Sequence, residues 1–587
     1  DNLNAYVTVP YSNPDAHVEI YAKICMDDAN KAIIQDYDGL NSINGGGYTM
    51  NWKYAYRGMR GPSQWYTWAK AYDVYYKDGA FHGSFGALER YYYDVKVRIM
   101  DNGNEDVMLR HKAFRATATE RKSAEDYAYK TNGELLLIPT FHNLSYYIDF
   151  DKDTESDCRV QFREKNTQSE MSDAYPPYWD KYVGQYRGSI VNLKPDTEYE
   201  VTALITGSSG ETLAEKTAVI KTWSENPSIG KTIRAEQIYN GGTLAIGDIH
   251  GSPDSWVKID GGGMCIDVGA NEDYAVYIAN SSYVIFENFK IRGGVEFGVY
   301  LGGGSHDIRI ANCDIAEWGV PGVLANEFGH YLVYGNPLNY KGGIYVADIY
   351  NVVVERCYIH DSNGSTNTWD GDGWKTVHPN GSSGIYQRAL YGFVARYNDI
   401  IGSDEHRFND CMEGSNNGYR NNSGTGSDSD IYGNMFYNSE DDVIELDGGQ
   451  MNVRFYNNHA EQSLCGVSVA PNMMGPSYLF NNLITNLGTS NNDMSGRAVK
   501  TGGSGDKING VTYIFNNTFD NEQIAIDNCN YQGPEYHSVT RNNILISRTG
   551  KRAMSNTTTD ERDSNDYDLM SGIVNVKAGD EANGLTG

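Results

Sequence analysis

The stretches YGNMF (432–436), YNNHA (456–460) and FNNLI (480–484) repeat one short pattern with an asparagine at its centre every 24 residues. Six further segments share its strand, three-residue turn and final apolar or β-branched residue: ENFKI (287–291), ANCDI (311–315), ERCYI (355–359), RYNDI (396–400), FNNTF (515–519) and RNNIL (541–545). Subtracting successive centres gives steps of 24, 44, 41, 36, 24, 24, 35 and 26 residues. One coil of a parallel β-helix needs about two dozen residues to pass round three short strands, and extra residues can only leave as loops. The spacing therefore predicts an all-β chain whose main domain is a right-handed parallel β-helix.

The central residues of these segments predict a ladder of side chains at one turn of the coil. Stacked amides can each hydrogen-bond the next amide and the turn backbone. The predicted amide ladder comprises Asn398, Asn434, Asn458, Asn482 and Asn517. Cys313 and Cys357 occupy equivalent positions, where we expect stacked small apolar side chains rather than a disulfide.

The chain divides into three predicted domains. Residues 1–137 alternate apolar and polar positions between turn-rich gaps, which indicates a small β-sandwich. Residues 138–225 contain LKPDTEYEV (193–201), which resembles the signature of fibronectin type III modules, where a tyrosine forms a corner with the chain just upstream. Modules of that class usually act as spacers or docking pieces. Residues 226–587 form the predicted β-helix.

The composition of the 587-residue chain restricts its partners. A net charge of −29 argues against nucleic acid and against an anionic membrane surface. We find no run of about 18 apolar residues, so no membrane insertion is expected. The chain begins with Asp1 rather than methionine, and we expect a removed leader and a secreted or cell-surface location. The 46 tyrosines suit strands and can also stack on sugar rings.

A second strand type recurs between the ladder segments and predicts one outward-facing column. Its members are Tyr277, Tyr300, Tyr345, Glu413, Glu445, Ser468, Lys500 and Ala525. Strands of adjacent coils lie about 4.8 Å apart, so Glu413 and Glu445 should be neighbours. Six carboxyl groups are then expected to converge on one patch: Asp410, Glu413, Asp441, Asp442, Glu445 and Asp447. Like charges at this density raise each other's pKa, which suits acid–base chemistry or a cation, although a solvated acidic face is the alternative.

Two enzyme families resemble parts of this patch. The Glu-Leu-Asp of 445–447 resembles the Glu-x-Asp pair of iota-carrageenases, which are inverting β-helix hydrolases. The order Asn-Asp (409–410), Asp-Asp (441–442), Cys-Gly (465–466) and Arg497 with Lys500 resembles polygalacturonases. That family carries Asn-Thr-Asp, Asp-Asp, His-Gly and Arg-Ile-Lys on successive coils. Here the threonine is missing, cysteine replaces histidine, and the basic pair is one residue further apart.

Long steps place loops at 316–342, 360–390 and 401–430, which we expect to wall a substrate groove over the charged coils. Basic and aromatic side chains in or near these loops and along the column are candidates for binding substrate. They are His406, Arg407, Lys500, Tyr345, His360 and Trp374. An arginine or histidine beside carboxylates can bind a sulfate or carboxylate group of a sugar.

The main hypothesis is an inverting glycoside hydrolase that cleaves a polysaccharide, for which an anionic one is a candidate. Glu445 and Asp447 are its expected central pair, and Asp442 or Glu413 assists. The second is a polysaccharide lyase, with calcium held by Glu413, Glu445 and Asp447 and with Lys500 or Arg407 as base. The third is a non-catalytic glycan-binding surface or filament protein. The hydrolase needs no cofactor and no metal, and calcium enters only with the lyase.

Overall fold

The computed structural model describes most of the chain. The described residues are 2–24, 69–70, 73–77, 79–88, 92–115, 129–150, 156–319, 323–324, 331–333, 336–337, 341–363, 366, 381–414, 420, 424–488, 496–502, 508–528, 537–556 and 562–587. The substrate-binding candidate Trp374 lies outside them.

Three twelve-stranded parallel sheets run the length of the C-terminal part, which confirms the predicted parallel β-helix. Each coil passes through sheet 1, sheet 3 and sheet 2 in that order. Sheet 1 comprises Ile229–Arg234, Trp256–Asp260, Ser282–Glu287, His306–Ala311, Tyr350–Glu355, Tyr391–Arg396, Asp430–Tyr432, Val453–Tyr456, Ser477–Phe480, Val511–Phe515, His537–Arg541 and Ser564–Asp566. Sheet 2 comprises Leu244–Gly247, Tyr274–Ala279, Phe297–Gly302, Lys341–Ala347, Ser382–Arg388, Met412–Glu413, Asp442–Glu445, Cys465–Val469, Arg497–Thr501, Ile524–Asn528, Arg552–Asn556 and Ile573–Val576. Sheet 3 comprises Cys265–Asp267, Lys290–Arg292, Asp314–Ala316, Tyr358–His360, Asp399–Ile401, Met435–Tyr437, His459–Glu461, Leu483–Thr485, Thr518–Asn521, Ile544–Ser547, Leu569–Ser571 and Leu585–Thr586.

Apolar side chains from all three sheets fill the interior of the coils. Ile259, Ile278 and Ile291 illustrate the pattern, one from each sheet, and all three are fully buried. Burial of such a side chain stabilises the fold by about 1.5–3 kcal/mol. A 3-10 helix, Ala235–Gln237, packs Ala235 against the N-terminal end of this core.

The predicted asparagine ladder is confirmed in detail. The Asn458 Nδ2 donates to Asn482 Oδ1 at 3.2 Å, and the Asn458 backbone N–H donates to the same oxygen at 3.0 Å. The same pair of contacts links each of the other amides to its successor. Cys313 and Cys357 are buried free thiols, as predicted. The backbone N–H and Nδ2 of Asn543 donate to Asp568 Oδ1, so a carboxylate takes the next position of the ladder.

The N-terminal part contains two antiparallel sheets that share one core, as expected for a β-sandwich. One sheet has the strands Asn2–Pro10, Ala80–Leu88 and Asp73–Lys77. The other has Ala69–Lys70, His17–Ile24, Tyr92–Asp101 and Asn104–Arg115. Phe81 of the first sheet and Ile20 and Val97 of the second lie in the same buried cluster.

The second domain also consists of two antiparallel sheets. Their strands are Tyr178–Asp180, Gln185–Ile190, Leu144–Asp149 and Leu136–Pro139 in one, and Ser172–Asp173, Asp157–Glu164, Glu198–Thr206 and Thr212–Lys221 in the other. The Tyr199 hydroxyl accepts from the Lys194 backbone N–H at 2.9 Å, so the tyrosine does contact the chain just upstream. The fibronectin type III assignment stays a prediction. The boundary expected between 137 and 138 needs correction, because it cuts the strand Leu136–Pro139.

The second domain packs on the outer face of sheet 1. Arg454 and Asp430 of sheet 1 form a fully buried ion pair at 2.5 Å, and Ser145 of the domain accepts from Arg454 at 2.8 Å. The Tyr147 hydroxyl donates to Asp428 at 2.6 Å. These buried contacts hold the second domain against the β-helix, which a flexible spacer module would not require. Throughout the described chain, no helix has the length and apolar character needed to cross a membrane.

One further sheet completes the described secondary structure. A small antiparallel sheet is formed by Val323–Leu324, Tyr331–Val333 and Asn336–Pro337 within the loop predicted at 316–342. Of the loops predicted at 360–390 and 401–430, residues 367–380, 415–419 and 421–423 lie outside the described residues. The groove that these loops were expected to wall therefore stays a prediction.

Candidate functional site

The side chains that face outward on sheet 2 form one continuous column along the β-helix. By strand register its members are Tyr277, Tyr300, Tyr345, Tyr386, Glu413, Glu445, Ser468, Lys500 and Asp527. Met412 pairs with Ile444 on the next coil, so Glu413 and Glu445 are neighbours, as predicted. The column thus changes from aromatic to charged at Glu413.

The predicted column contains one error and one omission. Ala525 is buried in the core, and Asp527 pairs with Lys500 in its place. The predicted alignment of this strand is shifted by two residues. A shift of two leaves the alternation of inward and outward positions unchanged, so the sequence pattern does not reveal it. Tyr386 is the omission, although SSGIYQ (382–387) repeats the pattern of KGGIYV (341–346) and could have identified it.

The six expected carboxyl groups converge on this part of sheet 2. Asp410 and Asp441 lie in the turns that lead from sheet 3 into the strands carrying Glu413 and Glu445. Asp442 is fully buried and Asp410 is 2% exposed. Glu445 differs from the other five because it is only half-buried. Among these groups it is therefore the carboxyl that a ligand can reach most easily.

Burial and mutual repulsion hold protons on these groups. Burial raises the pKa of Asp410, Asp442 and Glu445 well above their ordinary values, and neighbouring carboxylates raise it further. For Glu445 those neighbours are Asp447, Glu413 and Asp442. Burial raises the pKa of Glu413 to about 7, against the opposing effect of a hydrogen bond from the Ser383 hydroxyl. The site can therefore keep both protonated and ionised carboxyls near neutral pH.

Asp447 is the carboxylate best supplied with donors. The Ser468 hydroxyl lies 2.8 Å from its Oδ1 and 3.0 Å from its Oδ2, and the Ala470 backbone N–H donates to Oδ1 at 2.5 Å. Burial raises the pKa of Asp447, whereas Lys500 and these two donors oppose that rise. Hydrogen bonds to the charged form favour ionisation. Glu445 and Asp447 thus differ in protonation tendency although they are two residues apart.

Lys500 neutralises the other side of the cluster. Its Nζ forms a very short hydrogen bond with Asp442 and lies 3.7 Å from Asp441 Oδ1. Burial lowers the pKa of Lys500, but the surrounding carboxylates outweigh it and raise the pKa well above its ordinary value. Asp410, Asp441 and Asp442 can each direct an oxygen to within 4.8 Å of the others, which is close enough to share a cation.

Arg407 and His406 lie at the edge of this cluster. Arg407 pairs with Glu440 through a very short contact and with Asp404 at 3.1 Å. Burial raises the pKa of Glu440, against the opposing effect of Arg407. His406 Nδ1 lies 2.8 Å from the Ser362 carbonyl oxygen. The substrate-binding roles of both residues stay predictions.

The remaining substrate-binding candidates lie in different places. Tyr345 stacks between Tyr300 and Tyr386, with ring centroids 5.4 and 5.3 Å apart. Phe297 also stacks on Tyr345, with centroids 4.3 Å apart, and Arg388 donates to the Tyr345 hydroxyl at 3.5 Å. The substrate-binding role of Tyr345 stays a prediction. His360 lies on sheet 3, where it bridges Asp314 at 2.8 Å and Asp361 at 2.7 Å. His360 therefore lies on a different sheet from the carboxylate cluster, which is on sheet 2.

Comparison with known families identifies the coil type. A family model described as the right handed beta helix region matches residues 274–470. The fold is a right-handed parallel β-helix. A search of curated proteins finds no significant match.

Several solved structures show a distant likeness to this chain. The family 28 exopolygalacturonase of Yersinia enterocolitica is 11% identical, over 76% of this chain and 96% of that chain, with a TM-score of 0.33. Pectate lyase Pel9A is 13% identical, over 58% of this chain and 74% of that chain, with a TM-score of 0.31. The tailspike gp61 of Pseudomonas phage phi297 is 12% identical, over 74% of this chain and 61% of that chain, with a TM-score of 0.24. At these identities the likeness concerns the fold alone.

Proposed function

We propose that the right-handed β-helix is a glycoside hydrolase that cleaves a polysaccharide at the carboxylate cluster of sheet 2. The observation that carries the proposal is the contrast between Glu445 and Asp447. Burial raises the pKa of both groups, and for the half-buried Glu445 it rises well above the ordinary value. Hydrogen bonds from Ser468 and Ala470 to Asp447 oppose the rise there. Glycoside hydrolysis requires one protonated carboxyl and one ionised carboxylate at the same bond.

In this proposal Glu445 is the general acid that protonates the glycosidic oxygen. Asp447 is the general base that removes a proton from the attacking water. Asp447 lies two residues beyond Glu445, just past the end of the strand Asp442–Glu445. Inverting hydrolases keep their carboxyls roughly 6.5–9.5 Å apart to admit that water. Inversion of the anomeric centre is therefore part of this proposal.

Glu413 and Asp442 assist in different ways. Glu413, whose pKa burial raises to about 7, is the neighbour of Glu445 and helps to keep the acid protonated. Asp442 fixes the Lys500 ammonium beside the cluster. A positive charge near Asp447 favours its ionised form. The charges around Glu445 and Asp447 thus account for the proposed acid role of the first and base role of the second.

A calcium-dependent lyase is the second candidate, and one observation favours it. Asp410, Asp441 and Asp442 bring oxygens within 4.8 Å of one another, and oxygen ligands suit calcium. Lys500 is poorly suited to act as the lyase base, because its carboxylate partners raise its pKa and hold it protonated. Arg407 is likewise engaged by Glu440 and Asp404.

A polysaccharide panel distinguishes these candidates. Purified protein is incubated with neutral, uronic and sulfated polysaccharides, and both reducing ends and near-ultraviolet absorbance are measured. New reducing ends without absorbance, unaffected by a calcium chelator, are expected. Absorbing, chelator-sensitive products would instead establish the lyase. Binding without any cleavage would indicate a non-catalytic glycan-binding protein.

The charge of the substrate is tested in the same assay. An anionic sugar would need Lys500 or Arg407, and each already pairs with a carboxylate. An anionic substrate therefore predicts binding that weakens as salt is added, since salt screens charges. Binding that is insensitive to salt would indicate a neutral glycan.

A further inference from the structure

The turns that follow Glu445 and Val469 connect sheet 2 to sheet 1, and Asp447 lies in the first of them. They span 446–452 and 470–476. The second turn begins at Ala470, whose backbone N–H donates to Asp447. The two turns also bond to each other, since Met473 N–H donates to the Gly448 carbonyl at 2.8 Å and Gly448 N–H donates to Pro471 at 2.7 Å. The position of the Ala470 donor therefore depends on how firmly both turns are held.

Two arginines hold the second turn by three successive carbonyl groups. Arg187 of the second domain donates to the Gly475 carbonyl at 2.6 Å and to the Met474 carbonyl at 2.8 Å. Arg420 donates to the Met473 carbonyl at 2.9 Å. Arg187 is fully buried and Arg420 is nearly so. Hydrogen bonds from buried charged groups are among the stronger ones in proteins.

Both guanidinium groups are fixed by one carboxylate of the second domain. Asp180 is fully buried, and its Oδ2 accepts from Arg187 at 2.7 Å and from Arg420 at 2.9 Å. The Tyr182 backbone N–H donates to Asp180 Oδ1 at 2.9 Å. Burial tends to raise the pKa of Asp180, but the two arginines outweigh it and lower the pKa below its ordinary value. Asp180 is thus a permanently charged anchor.

Arg420 also contacts the first turn through its main chain. A Cβ atom added at Gly449 would lie 2.1 Å from the Arg420 carbonyl oxygen, so the two backbones touch. Gly449 is two residues beyond Asp447. Arg420 therefore reaches the turns on both sides of the Asp447 carboxylate, one by its side chain and the other by its backbone.

We propose that Asp180 and Arg420 are positioning residues for Asp447, so that the second domain is a working part of the site on the β-helix. This inference rests on the proposed function for its kinetic consequences. Asp180 fixes Arg187 and Arg420, the arginines fix the turn 470–476, and that turn aims the Ala470 N–H at Asp447. Loss of the anchor frees the turn, weakens the hydrogen bond and raises the pKa of Asp447.

The test compares Arg420→Gln, Arg420→Lys and Asp180→Asn with the wild-type full-length chain. Asp173→Asn is the matched control, because Asp173 pairs with Arg159 at 2.6 Å on the exposed face of the same domain. Hydrogen–deuterium exchange of the segment 465–476 is measured first. We expect exchange there to quicken by about tenfold in Arg420→Gln, with Arg420→Lys intermediate and the segment 511–528 unchanged.

Kinetics form the second measurement. We expect kcat of Arg420→Gln to fall by about tenfold with KM within about twofold, and the acid limb of the pH profile to move to higher pH. Should Arg420→Gln or Asp180→Asn fail to fold, Gly449→Ala displaces the Arg420 backbone while keeping every charge. Unchanged exchange in the folded variants, or faster exchange with unchanged kcat and pH profile, would overturn the proposal. Exchange requires no substrate, so it decides the anchoring even if no polysaccharide on the panel is cleaved.

Discussion

The Ser468 hydroxyl lies beside Glu445 on the outer face of sheet 2 and donates to both oxygens of Asp447, at 2.8 and 3.0 Å. This hydrogen bond favours the ionised form of Asp447. Its donor and the proposed acid Glu445 are neighbours on adjacent coils. One serine therefore opposes the rise that burial causes in the pKa of Asp447, and so helps to separate the protonation states of the two carboxyls.

Ser468→Ala should raise the pKa of Asp447, because it removes a donor to the charged form. A hydrogen bond to a charged group contributes about 1.5–3 kcal/mol, so a shift of roughly one to two pKa units is expected. The acid limb of kcat/KM against pH should move upward by that amount. Ser555→Ala is the control, since Ser555 lies two coils beyond Ser468's neighbour Lys500 in the same column. An unmoved acid limb would exclude Asp447 as the general base.

Glu445→Gln should abolish turnover while the protein stays folded. The amide has the shape of the acid but cannot deliver a proton, and general acid catalysis contributes about 10²–10⁴-fold. Initial rates and circular dichroism are measured together. Glu461→Gln, a matched change on sheet 3, should retain full activity. Full activity in Glu445→Gln would move the chemistry to Asp410, Asp441 and Asp442.

The sequence predicts those parts of the fold that repeat. The asparagine centres give the coil register directly, because each amide must meet the next one at the same turn. Strand alternation then places Glu413 beside Glu445, since only one face of sheet 2 is outward. Both results need no knowledge of how distant segments pack.

Contacts between distant segments could not be predicted in this way. Asp180 and Arg420 are 240 residues apart, and no local pattern links them. Ser468 gives no signal in the sequence either, because a serine in a strand is equally consistent with an inert surface position. The slip from Asp527 to Ala525 shows a further limit, since alternation alone fixes the parity of a strand but not its offset.

Replacing Asn458 by leucine should destabilise the β-helix strongly. The amide donates to Asn482 Oδ1 and to the Ile431 carbonyl, and its oxygen accepts from the backbone and side chain of Asn434. Each buried group left without a partner costs about 1–3 kcal/mol. Chemical unfolding should therefore show a loss of at least about 3 kcal/mol, or no folded protein.

Asn457→Gly is the control for the ladder. Asn457 adjoins Asn458 but is exposed, and its φ of 55° is a conformation that glycine adopts easily. The free energy of unfolding of the Asn457→Gly protein should differ from that of wild type by less than about 1 kcal/mol. Equal losses in the two variants would mean that the turn conformation, and not the stacked amides, stabilises the coil.

Glu413→Gln should stabilise the protein at alkaline pH and have little effect in acid. Burial raises the pKa of Glu413 from 4.5 to about 7. The folded state therefore binds a proton more tightly than the unfolded state, and stability falls as pH rises from about 4.5 through 7. Glutamine has no proton to lose, so it escapes this penalty. The shift corresponds to roughly 3 kcal/mol at pH 8.

The measurement is thermal or urea unfolding of wild type and Glu413→Gln between pH 4 and pH 8. The two curves should coincide near pH 4 and separate above pH 5, with the variant more stable. Asp399→Asn, an exposed carboxylate on sheet 3, controls for the loss of one negative charge from a chain of net charge −29. If both variants gain equally, the effect is general charge repulsion. If Glu413→Gln is less stable than wild type at pH 8 and Asp399→Asn is not, the Glu413 carboxylate is ionised and well solvated in the folded protein. The proposal that the carboxyl groups around Glu445 hold protons near neutral pH would then be wrong.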